Sequence, residues 1–257
     1  MKAAPFEYAR PERVADALDL LAQREDAVPL AGGQSLVPLM NARAARPGLV
    51  VDLNELGELA RLECRDDELV LGALVRQRLV ERSASVRALC PLLCEALPFV
   101  GTPQTRNRGT VAGSICHADP QAELPAVMVA CDASFTLRRA GGERRIAARD
   151  FFLGPLTTAR RRDELLTEIR IPRQGTGCAF LELASPVRAP ATVAVAISSD
   201  PAGELTVAVA GVGPVPQLVT DDGELDATVA DAHRRAVAAT LIARGRERLA
   251  GRERGAG

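Results

Sequence analysis

The chain has 257 residues, of which 47% are hydrophobic and 25% charged, and its formal net charge is -1. These values fit a globular protein with a core of useful size, built as one large domain or a few small ones. The near-neutral balance excludes a general electrostatic pull toward nucleic acid or an anionic membrane surface. No run of about 18 apolar residues offers a membrane span.

With no Trp, one Tyr and six Phe, the core must be built from Val, Leu, Ile and Ala. That scarcity also speaks against aromatic platforms for single-stranded nucleic acid. The N-terminal stretch MKAAPFEYARPERV has no apolar signal-peptide core. The six cysteines are scattered and sit mostly in apolar contexts, so reduced thiols and a cytoplasmic location are expected. The basic run Arg160, Arg161 and Arg162 has acidic neighbours and reads as solvated surface.

Taken in chain order, Pro11 opens a helical pattern with Val14, Leu18 and Leu21 at helical spacing. AVPL reads as a short buried strand ending at Ala31. A helix follows from Leu36 to Ala45, with Pro38 in its first turn, and GLVVDLN (48–54) is a second strand. Residues 1–54 therefore read as a small α/β unit. Residues 55–172 have a different texture. ARLECRDDELVLGA gives two strands around an acidic turn, and VRALCPLLCEAL (86–97) a helix with Pro91 near its start. SFTLRRAGGERRIAA (134–148) gives a hairpin turning at Gly141 and Gly142, and ELLTEIRIP (164–172) a closing strand. From 173 to 257, CAFLELA, ATVAVAIS and LTVAVAGVG read as strands, the last two joined by the turn SDPAGE. A helical stretch runs from Ala227 to Leu249, interrupted at Gly245, before a frayed tail.

Two glycine stretches carry the chemistry. PLAGGQSLVPLMNAR (29–43) places Gly32 and Gly33 between a strand end and a helix start. In TPQTRNRGTVAGSICHADPQAELPAVMVACDA (102–133), Gly109 and Gly113 flank Thr110, Val111 and Ala112. Ser114, His117 and Asp119 follow, and Pro120 opens a helix carrying Glu123. Both stretches can be plain turns. They can also close on one extended ligand, because glycine lets backbone N–H groups approach phosphate oxygens, and the Ser35 and Ser114 hydroxyls add donors. Such a ligand would carry phosphates and a long body, which suggests a dinucleotide. Neither stretch has the G-x-G-x-x-G order of a Rossmann site or the G-x-x-x-x-G-K-[ST] order of a P-loop.

Together, PLAGGQSLVPLMNAR, VGTPQTRNRGTVAGSICHADPQAELPAV and RDFFLGPLTTARRRDELLTEIRIP resemble the FAD-binding medium subunit of the molybdenum hydroxylases. That family includes carbon monoxide dehydrogenase and the xanthine dehydrogenases. The resemblance implies an α+β fold: a vanillyl-alcohol-oxidase (PCMH) type FAD-binding domain of two subdomains, 1–54 and 55–172, then a shortened C-terminal α+β domain, 173–257. It implies that FAD is held by a first loop of Ala31, Gly32, Gly33, Gln34, Ser35 and Leu36. A second loop comprises Gly109, Thr110, Val111, Ala112, Gly113 and Ser114. Asp119 is expected on the ribityl or ribose hydroxyls and Leu165 near one end of the cofactor. The implied partners are an iron–sulfur small subunit and a molybdopterin large subunit, with electrons passing through FAD to an external acceptor.

The sequence departs from the family pattern in three places. The second loop of relatives reads Thr-[Ile/Val]-Gly-Gly-[Ser/Asn], and Ala112 replaces its first Gly; a positive φ there would cost about 1 kcal/mol. Across Ser185–Ala191, Ala189 and Pro190 stand where relatives have an acid and an aromatic near the flavin ring. The segment after GVGPVP is short. The last two departures favour a rival reading, a stand-alone FAD enzyme acting on a small metabolite; a third reading is a binding protein that has lost FAD. Cys90 and Cys94 would share a helix face and read as buried core thiols, since no cysteine set has iron–sulfur spacing. His117 reads as structural or FAD-contacting, His233 as inert, and Glu123 as a local cap or pair.

Overall fold

The computed structural model describes residues 2–184, 191–219, 225 and 232–255. The first unit runs β1 (Glu7–Ala9), α1 (Val14–Gln23), β2 (Ala27–Leu30), α2 (Leu36–Asn41) and β3 (Leu49–Asp52). The three strands are parallel in the order β1-β3-β2. The central strand is buried along its whole length, which its sequence LVVD allows up to the final carboxylate. The strand β1 has no counterpart in the sequence reading; its pattern is exposed at Glu7 and Tyr8, so it carries no apolar signal. The helix α2 ends four residues earlier than expected, where Arg43 turns to φ 60.

The second unit is an antiparallel sheet with helices inserted in it. Its elements are β4 (Leu62–Cys64), β5 (Glu68–Gly72), α3 (Gln77–Arg82), α4 (Ala84–Leu89), α5 (Pro91–Ala96), α6 (Pro103–Arg108), α7 (Val111–His117), α8 (Glu123–Ala130), β6 (Ser134–Arg139), β7 (Gly142–Ala147), α9 (Ala148–Phe151), β8 (Phe152–Gly154), β9 (Thr157–Thr158) and β10 (Leu165–Pro172). The sheet order is β4-β5-β10-β6-β7, so the last strand lies at the centre, and it is the most continuously buried. The expected helix over 86–97 is two helices. Cys90 lies at φ -139 between them, because Pro91 disfavours the helical region for the residue before it and takes the first position of α5. The helix expected from Pro120 starts at Glu123, since Ala122 and Gln121 bond back to Asp119 in a turn.

The third unit is the antiparallel sheet β11 (Cys178–Ala184), β12 (Ala191–Ser199), β13 (Leu205–Ala210) and β14 (Gln217–Leu218), with α10 (Ala232–Gly255). Alternation along the strands sorts its two faces. Val193, Val195, Ile197, Val207 and Val209 pack with Ala238, Leu241 and Ile242 of α10. Ala194, Ala196, Ala208 and Ala210 face the main core, where α8 packs on β12 and β13. Small residues on that face let a helix approach that is apolar around its whole circumference. The helix α10 passes through Gly245 without interruption. A Cβ there would lie 3.1 Å from Leu181 Cδ1 and closer to Ile197, so this glycine is a close helix-on-sheet contact. The expected departure at Ala189 and Pro190, and the expected helix start at Ala227, lie outside the described residues.

Glu123 enters this packing at the start of α8, 9% exposed. Burial, with the nearby charges of Glu182 and Asp119 adding, pushes its carboxyl up to about 7. Below the unfolded-state value both states hold the proton and nothing is lost. As pH rises from there to about 7 the unfolded chain ionises first, so stability falls, and above that it levels off. Glu123→Gln keeps the shape and removes the titration. Urea unfolding should show the wild type losing on the order of 2 kcal/mol relative to the variant between about pH 5 and about pH 8. Parallel pH profiles would contradict this burial.

Candidate functional site: a cavity between two glycine loops

The parallel strands β2 and β3 point their carboxyl ends at the same crevice, the place where open α/β units bind ligands. The first glycine loop leaves β2 there. Gly33 adopts φ +73, which glycine takes without steric cost. Gly32 answers a different need. A Cβ on it would lie 2.8 Å from Gly109 Cα and closer still to the Arg108 carbonyl oxygen. The two loops touch backbone to backbone, and only a glycine fits.

A polar network fixes the same contact from below. Asn54, just past β3, donates to the Ala31 carbonyl at 3.0 Å and also bonds Asp52. Arg76 donates to Asn54 Oδ1 at 2.5 Å and to the Arg108 carbonyl at 2.6 Å. Tyr8 of β1 donates to Asp52. Although desolvation opposes it, hydrogen bonds from Tyr8 and Asn54 hold the Asp52 carboxyl below its usual range. The network thus binds the end of the first loop's strand to the start of the second loop.

In the second loop, Thr110 Oγ1 accepts from the Gly113 amide at 2.9 Å, capping α7. A Cβ on Gly113 would lie 2.8 Å from that oxygen, so a side chain there would require the Thr110 hydroxyl to shift. Ala112 lies inside α7 and has no positive φ. The backbone penalty anticipated for it does not arise.

Between the loops lies a cavity of about 340 Å³. Ala31, Gly32, Gly33, Gln34, Ser35, Leu36, Gly109, Thr110, Ala112, Gly113, Ser114 and Leu165 all line it. Two expected residues do not. Val111 is fully buried, its amide bonded to the Val75 carbonyl. Asp119 accepts the Gln121 amide at 2.9 Å in its own turn.

Among the lining residues not singled out as site residues are Gln77, Cys116, Arg160 and Leu166. Gln77 is 4% exposed; its amide nitrogen reaches the Thr110 carbonyl at 3.4 Å and its Oε1 has no hydrogen-bond partner among the described residues. Burial pushes the Cys116 thiol up to about 11, so it is no thiolate nucleophile. Arg160 corrects the reading of the basic run as solvated surface: Arg161 and Arg162 are exposed, but Arg160 is half-buried against the cavity. His117 lines it too, at the end of α7.

The chemistry of this lining is that of an anion cradle. Among the described residues, no Asp or Glu lines the cavity, and the amides from Gly32 to Leu36 have no acceptor within the protein. A run of free amides beside glycines with no Cβ in the way suits phosphate oxygens. The apolar wall of Val28, Leu39, Leu53, Val100 and Leu166 suits a long ring-bearing body. Cys90 and Cys94 do not share a helix face. Cys90 precedes α5, with its sulfur 3.8 Å from that of Cys131, and Cys94 bonds the Val80 carbonyl.

A fold of this kind around such a cradle defines an FAD-binding domain of an oxidoreductase. The family described as FAD binding domain in molybdopterin dehydrogenase matches residues 4–174, and the chain belongs to it. Over 188 residues it is 44% identical to caffeine dehydrogenase subunit beta of Pseudomonas sp. strain CBB1, covering 72% of this chain and 64% of that one. Over 185 residues it is 40% identical to the 6-hydroxypseudooxynicotine dehydrogenase complex subunit alpha of Paenarthrobacter nicotinovorans, covering 71% and 62%. The chain therefore spans a little under two thirds of the length of these curated relatives. The fold matches a solved structure of carbon monoxide dehydrogenase from Hydrogenophaga pseudoflava that lacks the Mo-pyranopterin moiety of the molybdenum cofactor. The TM-score is 0.89 at 30% identity, over 98% of this chain and 99% of that chain. The resemblance read from the two glycine stretches is borne out, as is FAD as the cofactor.

Gly32→Ala should separate the loops, because the clash is with backbone that cannot rotate away. We expect FAD affinity to fall by about a hundredfold or more, with a stability loss of about 1–3 kcal/mol. Fluorescence titration with FAD and urea unfolding check this; unchanged affinity would show that the loop contact does not shape the site.

Proposed function

We propose that this chain is the flavin subunit of a molybdenum hydroxylase-type dehydrogenase. It takes electrons from an iron–sulfur partner, fed by a molybdopterin partner, and hands them to an external acceptor. The observation that carries the reading is the pair of touching glycine loops, with residues Gly32 to Leu36, whose amides have no acceptor among the described residues, lining a cavity without carboxylates. FAD, when bound, supplies the acceptance and release of electrons; the chain supplies binding, orientation and electrostatics.

In this reading the amides of the first loop, with the Ser35 and Ser114 hydroxyls, take the pyrophosphate oxygens. Gln77 Oε1 offers an acceptor to a ligand hydroxyl or N–H, and Leu165 and Leu166 exclude water at the wall. Asp119 uses Oδ1 in its own turn, which leaves Oδ2 to accept from the sugar hydroxyls. The three larger sheets support a division at 1–54, 55–172 and 173–257, with the first two as subdomains of vanillyl-alcohol-oxidase type. Among the described residues no helix is long and apolar enough to cross a membrane, and we place the protein in the cytoplasm.

The test is anaerobic titration of the purified, FAD-loaded chain. Small organic reductants such as N-heterocycles and aldehydes should leave the flavin oxidised. Addition of the iron–sulfur and molybdopterin subunits should make the same substrates bleach it. Bleaching by a small substrate without partners would contradict the subunit reading and establish a stand-alone enzyme.

A further inference from the structure

We propose that Arg160 is the charge-pairing residue for the ligand's phosphates, an inference that rests on the FAD reading above. Sequence gives no hint of it, since three consecutive arginines look alike. The structure separates them. Arg162 Nη1 bonds the Leu21 and Arg24 carbonyls at 3.0 Å, and Arg161 is exposed. Arg160 alone of the three lines the cavity, and it is the single Lys or Arg that does so among the described residues.

Its surroundings hold it ready. Arg160 Nη1 donates to the carbonyls of Glu164 at 2.7 Å, Arg161 at 3.0 Å and Arg162 at 3.4 Å. No partner for its Nε or Nη2 is present among the described residues. The neighbouring carboxylate that could neutralise it is occupied: Glu164 is 1% exposed and takes a bidentate pair from Arg144 at 2.8 and 2.9 Å. Glu164 also accepts the Arg161 amide at 2.8 Å, and Arg144 reaches the Ala159 carbonyl at 2.6 Å. The turn over 159–164 is therefore fastened at both ends. A guanidinium held by one nitrogen, with its other donors open and no acid on the cavity wall, matches a pyrophosphate oxygen pair. Free loop amides give the phosphates direction; Arg160 gives them a full opposite charge.

The experiment measures dissociation constants of FAD, ADP and riboflavin for the full chain at low and moderate salt. The proteins are the wild type, Arg160→Gln, Arg160→Lys and the exposed neighbour Arg161→Gln. Riboflavin has the ring and ribityl chain but no phosphate. Arg160→Gln should weaken FAD and ADP by roughly tenfold or more, and riboflavin by no more than about twofold. It should also flatten the salt dependence of FAD binding. Arg160→Lys should recover part of the loss, which holds the test even where Arg160→Gln unfolds, and Arg161→Gln should change nothing. Equal weakening of riboflavin and FAD, or unchanged FAD and ADP binding, overturns the inference and leaves the FAD reading standing. A wild type that takes up no FAD overturns both.

Discussion

Gly32 has no space for a side chain, and much of the site follows from that contact. Two loops from different units, more than seventy residues apart in sequence, meet there backbone to backbone. A glycine contact has no side chain to lock it, so the geometry must be held from elsewhere. Asn54 and Arg76 do this by gripping the carbonyls of Ala31 and Arg108, one on each side of the contact. Their own positions depend on Asp52, which sits at the carboxyl end of the fully buried central strand. The cradle is thus tied to the fully buried central strand of the first sheet.

The rest of the chain serves the cradle by filling space. The helix α8 is apolar on all sides because it lies between the second unit and the alanine face of the third sheet. Arg106, 5% exposed, fastens α6 just before the second loop. It pairs with Glu81 at 2.9 Å and donates to the Val100 carbonyl at 2.9 Å. Such a buried pair is a weak source of net stability, but removing one partner is expensive, so it fixes a location more than it strengthens a fold. The direction of the second loop is set by that pair and by the Thr110 cap.

Two of the three strands of the first sheet, the hairpin at Gly141 and three of the four strands of the last unit were legible in sequence because their periodicity is local. The two glycine loops were legible as a motif, although the reason for Gly32 was not, since its clash partner is remote in sequence. The break at Cys90 was missed because helical spacing continues across it while the proline after it disfavours a helical backbone. Gly245 looked like an interruption because sequence shows a missing side chain and not the sheet packed against it. Arg160, Gln77 and Arg76 escaped for a related reason. Their roles come from tertiary placement, and an arginine in a basic run carries no mark of which one turns inward. Asp119 was read from a motif; it does not line the cavity, and its Oδ1 accepts the Gln121 amide in its own turn.

Hydrogen–deuterium exchange of the purified chain, with and without FAD, tests the central claim most directly. The account predicts slowed exchange confined mainly to peptides covering the amides from Gly32 to Leu36 and the second loop from Gly109 to Ser114. Binding of FAD with no protection in these loops, or with protection centred on a different surface such as the groove between α1 and the β6–β7 hairpin, would contradict it.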